Sequence, residues 1–90
     1  MRTNSLPTVE IYTQPWCAYC AWAKNLLDRK AAPYREIDAP MGTPERAEAI
    51  ERSGGRTSVP QIFINGLHIG GSDELAGLER SGELDQLLAA

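Results

Sequence analysis

Apolar and polar positions alternate through Val9-Glu10-Ile11-Tyr12, and a period of two predicts a strand there. Pro15 breaks it. A helical pattern follows over residues 21–30 and opens at Cys17, with Ala23, Leu26 and Leu27 recurring at helical spacing as its buried stripe. Ala31-Ala32-Pro33 ends that helix, and residues 34–38 read as a second strand. A strand–helix–strand unit of this length implies two parallel strands joined by a right-handed crossover. Thr43 and Pro44 start a second helix, Thr43 as its cap and Pro44 at its first position. Ala47 and Ile50 are expected to face inward, and Gly54-Gly55 to stop the helix. Gln61-Ile62-Phe63-Ile64 and Leu67-His68-Ile69 read as two strands around Asn65-Gly66, the favoured type I′ hairpin pair. Ser72 and Asp73 are expected to cap a third helix carrying Leu75 and Leu78. Ser81-Gly82 interrupts it, and Leu84, Leu87 and Leu88 suit a short last helix. The order is βαβαββα with a split C-terminal helix.

Ninety residues make one domain, expected to span 1–90, and 42% hydrophobic content suffices for one modest core without a disulfide scaffold. A net charge of −3 leaves no basic footprint for nucleic acid. No run approaches the roughly 20 apolar residues of a membrane span. Met1-Arg2-Thr3-Asn4-Ser5-Leu6-Pro7 is not followed by a long apolar stretch, so no signal peptide is expected. The setting expected by default is reducing and cytoplasmic.

Both cysteines of the chain lie in Cys17-Ala18-Tyr19-Cys20. Two thiols three positions apart at a helix start share one face and can close a small disulfide. The partial positive charge of the helix N-terminus stabilises a thiolate on the first of them. In a reducing compartment such a pair is catalytic or metal-binding more often than structural. Beside a βαβ pattern it reads as a thioredoxin-like redox motif. Zinc would need further ligands, and the chain has only one histidine, His68, which reads as an ordinary strand residue.

Two further motifs join the cysteines: Thr57-Ser58-Val59-Pro60 before the third strand and Gly70-Gly71-Ser72-Asp73 after the fourth. In this order and at this spacing, the three together resemble glutaredoxins over residues 9–88. Thioredoxin is the weaker match, since it carries Gly-Pro between its cysteines and is usually longer. The resemblance implies an α/β, thioredoxin-like fold: a four-stranded mixed sheet flanked by helices. It implies a glutathione-dependent thiol–disulfide oxidoreductase acting on disulfide-bonded or glutathionylated proteins, as a monomer without nucleic acid or membrane. Cys17 would be the nucleophile and Cys20 the resolving thiol. Val59, ahead of a cis Pro60, would offer its N–H and C=O to glutathione as a strand does. Tyr19 would pack over the site, and Ser58 and Gly71 belong to its motifs. Ser72 and Asp73 would hold the γ-glutamyl end at a helix N-terminus. Arg46 stands where relatives place a basic or amide side chain for the glycyl carboxylate. Its other reading is a solvated helix charge. Trp22 is either a surface aromatic or part of a partner patch.

The chain departs from the common glutaredoxin pattern at three places. Gln14 stands where many relatives carry lysine, which keeps hydrogen bonding and loses a cation. Ala18 replaces the usual proline, and Ser72 occupies a place where some relatives have an extra cysteine. Small residues at position 18, with a tryptophan such as Trp16 before the first cysteine, also occur in relatives that assemble a [2Fe-2S] cluster. The alternative function is therefore a dimeric cluster carrier or sensor, with Cys17 as metal ligand beside glutathione.

Overall fold

The structure is a computed structural model and describes residues 7–89. The expectation about a leader concerns residues that lie mostly outside this range. Eight elements follow one another: β1 (Val9–Thr13), α1 (Ala18–Arg29), β2 (Arg35–Asp38), α2 (Pro44–Arg52), β3 (Gln61–Ile64), β4 (Leu67–Gly70), α3 (Ser72–Ser81) and α4 (Glu83–Ala89). The strands form one sheet in the order β2-β1-β3-β4. β1 runs parallel to β2, with Ile11 opposite Glu36, and antiparallel to β3, with Ile11 opposite Ile62. β3 and β4 form the expected hairpin. Its turn residues Asn65 and Gly66 have φ of 52° and 80°, as a type I′ turn requires. Gly82 ends α3 at φ 84° and splits the C-terminal helix.

Because strand side chains alternate faces, the two central strands feed two cores. Val9 and Ile11 of β1 and Ile62 and Ile64 of β3 meet Ala23, Leu26 and Leu27 of α1, with Leu75 of α3 and Leu84 of α4. Tyr12 and Phe63 point to the other face and pack with Ile37 of β2, Ala39 just after it and Ala49 of α2. All four residues of β3 are buried, as a central strand covered on both faces demands. The helices thus clamp the sheet from both sides. The C-terminal end of β1 and the start of β3 then converge on the N-terminus of α1.

Two expectations need correction. Ala47 is exposed; α2 turns Arg46 and Ala49 inward, and Ile50 is half-buried. The buried stripe runs one residue earlier than its apolar letters suggest, because a long arginine stem fills the first inward position. The cap of α3 is Gly71, in an extended conformation, and Ser72 is already helical. The side chain that serves this end is Glu74, whose Oε1 accepts from the Gly71 N–H at 2.7 Å. Gly70 makes room for it: at φ 123°, a Cβ there would sit 2.7 Å from the same carboxylate.

Candidate active site

Cys17 is the N-cap of α1. Its backbone is extended, and its Sγ accepts from the Cys20 N–H at 3.1 Å. The first turn of a helix leaves its N–H groups unpaired, so the sulfur takes the place of a capping oxygen. Any negative charge that forms on it is stabilised by that N–H and by the helix dipole. The preceding Trp16 adopts φ 62°, unusual for a bulky residue, and its side chain is fully exposed. This turn delivers Cys17 to the surface at the helix start. Cys20, one turn deeper, is buried, while Cys17 is half-buried. The two are joined as a disulfide, with Cα atoms 5.2 Å apart. One sulfur can therefore be reached from outside, and the other is reached through the first.

Two grooves flank Cys17. The smaller, about 270 Å³, is lined by Tyr19, Arg56, Ser58, Val59 and Pro60 on one side and by residues 71–74 on the other. The Val59–Pro60 peptide is cis, and the Val59 carbonyl oxygen lies 4.0 Å from Cys17 Sγ. The expected residues Tyr19, Ser58, Val59, Pro60, Gly71, Ser72 and Asp73 thus meet in one place. The larger groove, about 710 Å³, is lined by Gln14, Trp16 and both cysteines, with Lys24, Glu36 and Asp38. There the Glu36 carboxylate accepts from the Thr13 hydroxyl at 2.7 Å and from Lys24 at 3.0 Å. The Thr13 contact first, then the Lys24 contact, lowers its pKa.

Arg46 lines neither groove. It is buried: Nη1 donates to Gln14 Oε1 at 2.9 Å and to Ala39 O at 2.7 Å, while Nε and Nη2 donate to Thr57 O at 3.3 and 3.0 Å. Its reading as a solvated helix charge is overturned. Trp22 is exposed beside a shallow groove with Ala18, Tyr19 and Ala76. His68 is a strand residue, as expected. Its Nε2 lies 2.7 Å from Gln61 Oε1, and burial lowers its pKa.

The family model for glutaredoxin matches residues 9–69. The chain belongs to the glutaredoxin family. The glutaredoxin of Pseudomonas aeruginosa is 51% identical over 85 residues, covering 94% of this chain and 100% of its own length. The solution structure of glutaredoxin from Brucella melitensis superposes with a TM-score of 0.82 at 55% identity, covering 96% of this chain and 92% of that one. A crystal structure of a buckwheat glutaredoxin–glutathione complex superposes at 0.81 and 29% identity, covering 91% and 76%. A glutaredoxin is a thiol–disulfide oxidoreductase of thioredoxin fold, and its redox-active pair here is Cys17 and Cys20.

Sequence reasoning missed three side chains of this glutaredoxin site. Gln61 is fully buried and donates to the Ser58 carbonyl at 3.0 Å, holding the loop before Pro60. Arg56 and Glu74 close the far end of the smaller groove, 3.4 Å apart. Only Glu74 had a usable signal, since it stands three residues after Gly71 in a capping-box position. Its pKa is lowered chiefly by the Gly71 N–H. A depressed folded-state pKa means stability that is present above the unfolded value and lost as pH falls through the folded one. Glu74→Ala is expected to cost a fraction of roughly 0.3–1.5 kcal/mol at pH 7, trimmed by solvent exposure. The gap between variant and wild type should close on acidification toward pH 3, read by urea denaturation at both values.

Proposed function

We propose that this chain reduces glutathionylated and disulfide-bonded proteins with glutathione as electron donor. The observation that carries the reading is the placement of Cys17 Sγ. It is reachable, it accepts from the Cys20 N–H, and it sits beside a groove that offers both a strand-like backbone and a helix N-terminus. In that groove the Val59 N–H and C=O pair with the glutathione backbone, Tyr19 and Pro60 form its walls, and Ser58 and Gly71 belong to its rim. The γ-glutamyl carboxylate lies at the N–H groups of Ser72 and Asp73. The buckwheat complex, a similar glutaredoxin with glutathione bound, supports glutathione as the ligand.

The Cys17 thiolate attacks the glutathione sulfur of a protein–glutathione disulfide. The protein thiolate leaves and takes a proton, and Cys17 becomes glutathionylated. A second glutathione thiolate attacks that glutathione sulfur, giving glutathione disulfide and restoring the Cys17 thiolate. With a protein disulfide, Cys17 first forms a mixed disulfide with the protein. Cys20 then loses its proton and attacks Cys17 Sγ, releasing the reduced protein and leaving the Cys17–Cys20 disulfide. Two glutathiones return that disulfide to the dithiol. The reading includes a reducing cytoplasmic setting and a monomer. The test is an assay that follows glutathione disulfide production from a glutathionylated peptide. Turnover proportional to enzyme and dependent on glutathione is expected; peptide reduction indifferent to glutathione would refute the reading.

A second reading rests on Trp16 and Ala18, both exposed on either side of Cys17. A [2Fe-2S] cluster needs four thiolates, and no group of three metal-binding side chains exists among the described residues. With Cys20 buried, each chain offers one sulfur, so the donor set fits only as Cys17 from two copies with two glutathiones. Bound there, the cluster would supply one-electron storage. Anaerobic reconstitution with iron, sulfide and glutathione is expected to give a coloured dimer from wild type and Cys20→Ser, and none from Cys17→Ser. A colourless monomer from wild type removes this reading.

A further inference from the structure

We propose that His68 is a positioning residue, acting through Gln61 to aim the Val59 N–H into the smaller groove. The two side chains share one face of the sheet. Gln61 and Phe63 lie two residues apart on β3, and His68 of β4 stands opposite Phe63. The half-buried His68 ring packs at a tilt on the Phe63 ring, with centroids 5.0 Å apart. Held there, its Nε2 reaches Gln61 Oε1 at 2.7 Å. Gln61 is fully buried, and its Nε2 lies 3.0 Å from Ser58 O and 3.5 Å from Ser58 Oγ.

The direction of this relay is forced. A carbonyl only accepts, so the end of Gln61 that faces Ser58 is its NH₂ group. Its Oε1 then faces His68 and also only accepts, so His68 Nε2 carries a hydrogen. It does so in that neutral tautomer and in the imidazolium alike, and protonation of His68 leaves the relay intact. Without the histidine, the amide could turn over and set its oxygen against the Ser58 carbonyl. The Ser58 carbonyl and the Val59 N–H belong to one peptide unit. That unit is trans, so the two point in opposite directions. Gln61 holds the carbonyl from the buried side, which turns the N–H away from it, and Val59 lines the smaller groove. The donor is thus ordered before any ligand arrives, which lowers the cost of binding. The role rests on the glutathione reading for its ligand: the acceptor served is a backbone carbonyl of the bound tripeptide.

The experiment is a double-mutant cycle on the full chain: His68→Phe, Gln61→Met and both together, with His68→Gln as the rescue. Phenylalanine keeps the packing on Phe63 and removes the donor, whereas glutamine returns an N–H near the place of Nε2. KM and kcat are measured for a glutathionylated peptide, and the Val59 amide order parameter is measured by NMR without glutathione. Gln61→Met should raise KM by about 5- to 10-fold, the size of one hydrogen bond, and His68→Phe by about 3-fold, both with a smaller change in kcat. The double variant should match Gln61→Met, not show the roughly 15- to 30-fold product that independent sites give. The Val59 order parameter should fall from about 0.85 in wild type to about 0.6 or below in His68→Phe and Gln61→Met. His68→Gln should restore both readouts. A His68→Phe protein with the wild-type order parameter overturns the proposal. A multiplicative double variant overturns it too, as does a His68→Gln protein no better than His68→Phe. If Gln61→Met does not fold, the comparison of His68→Phe with His68→Gln decides. The NMR arm needs no glutathione, so a wild type without glutathione-dependent turnover sinks the functional reading while the relay is still judged.

Discussion

Cys17→Ser is expected to abolish thiol transfer to every substrate of the proposed reactions, protein disulfide and glutathionylated protein alike. On the proposed reading all routes begin with a thiolate at position 17, because Cys20 is 2% exposed and would meet substrate only through its neighbour. An alcohol is scarcely ionised near neutral pH and forms no disulfide, so neither the attack nor the intermediate survives. The loss should reach the assay floor, on the order of 10⁴-fold or more, as for other removed nucleophiles. The fold itself should persist. Serine is among the preferred helix caps and can accept the same Cys20 N–H. Comparing reduced wild type with reduced variant, thermal midpoints should agree while activity vanishes. Residual turnover in proportion to enzyme would place the chemistry elsewhere.

The reach of sequence reasoning follows how local each cause is. β1 was legible because a period of two is a local property, and the structure uses both its faces: Ile11 in one core and Tyr12 in the other. The Asn65-Gly66 turn was legible because its φ values suit few other residue pairs. The cysteine pair was legible because capping and depth are set within one helical turn. Arg46 was not. Its burial depends on Ala39, Thr57 and Gln14, which lie 7, 11 and 32 residues away along the chain. The same distance hid the meaning of Gln14. Read alone it is a missing cation; in the fold a buried cation stands directly behind it. α2 was misphased because its few apolar letters, Ala47, Ala49 and Ile50, define no stripe without the arginine.

Cys20→Ser should separate the two reactions that Cys17 begins. Removal of glutathione from a protein needs one reachable thiolate and free glutathione, so that activity should remain within about 3-fold of wild type, the change left by losing contacts near the sulfur. Reduction of a protein disulfide stalls at the mixed disulfide, which only an intramolecular thiol resolves quickly. Cys20 lies one turn below Cys17, with Cα atoms 5.2 Å apart, and its attack is unimolecular. Well-oriented groups of this kind act at effective concentrations on the order of 10⁵ M and above, far beyond any dissolved thiol. Glutathione can attack the same bond from solution, but its concentration and access are both inferior. The variant should therefore accumulate as a covalent adduct with its protein substrate, visible on non-reducing gels and by mass. A buried serine hydroxyl left without a partner costs about 1–3 kcal/mol, which a thermal melt will register and which cannot by itself discriminate between substrates. That discrimination is the content of the test. If both activities fell together, or no adduct formed, the buried cysteine would not be the resolving thiol.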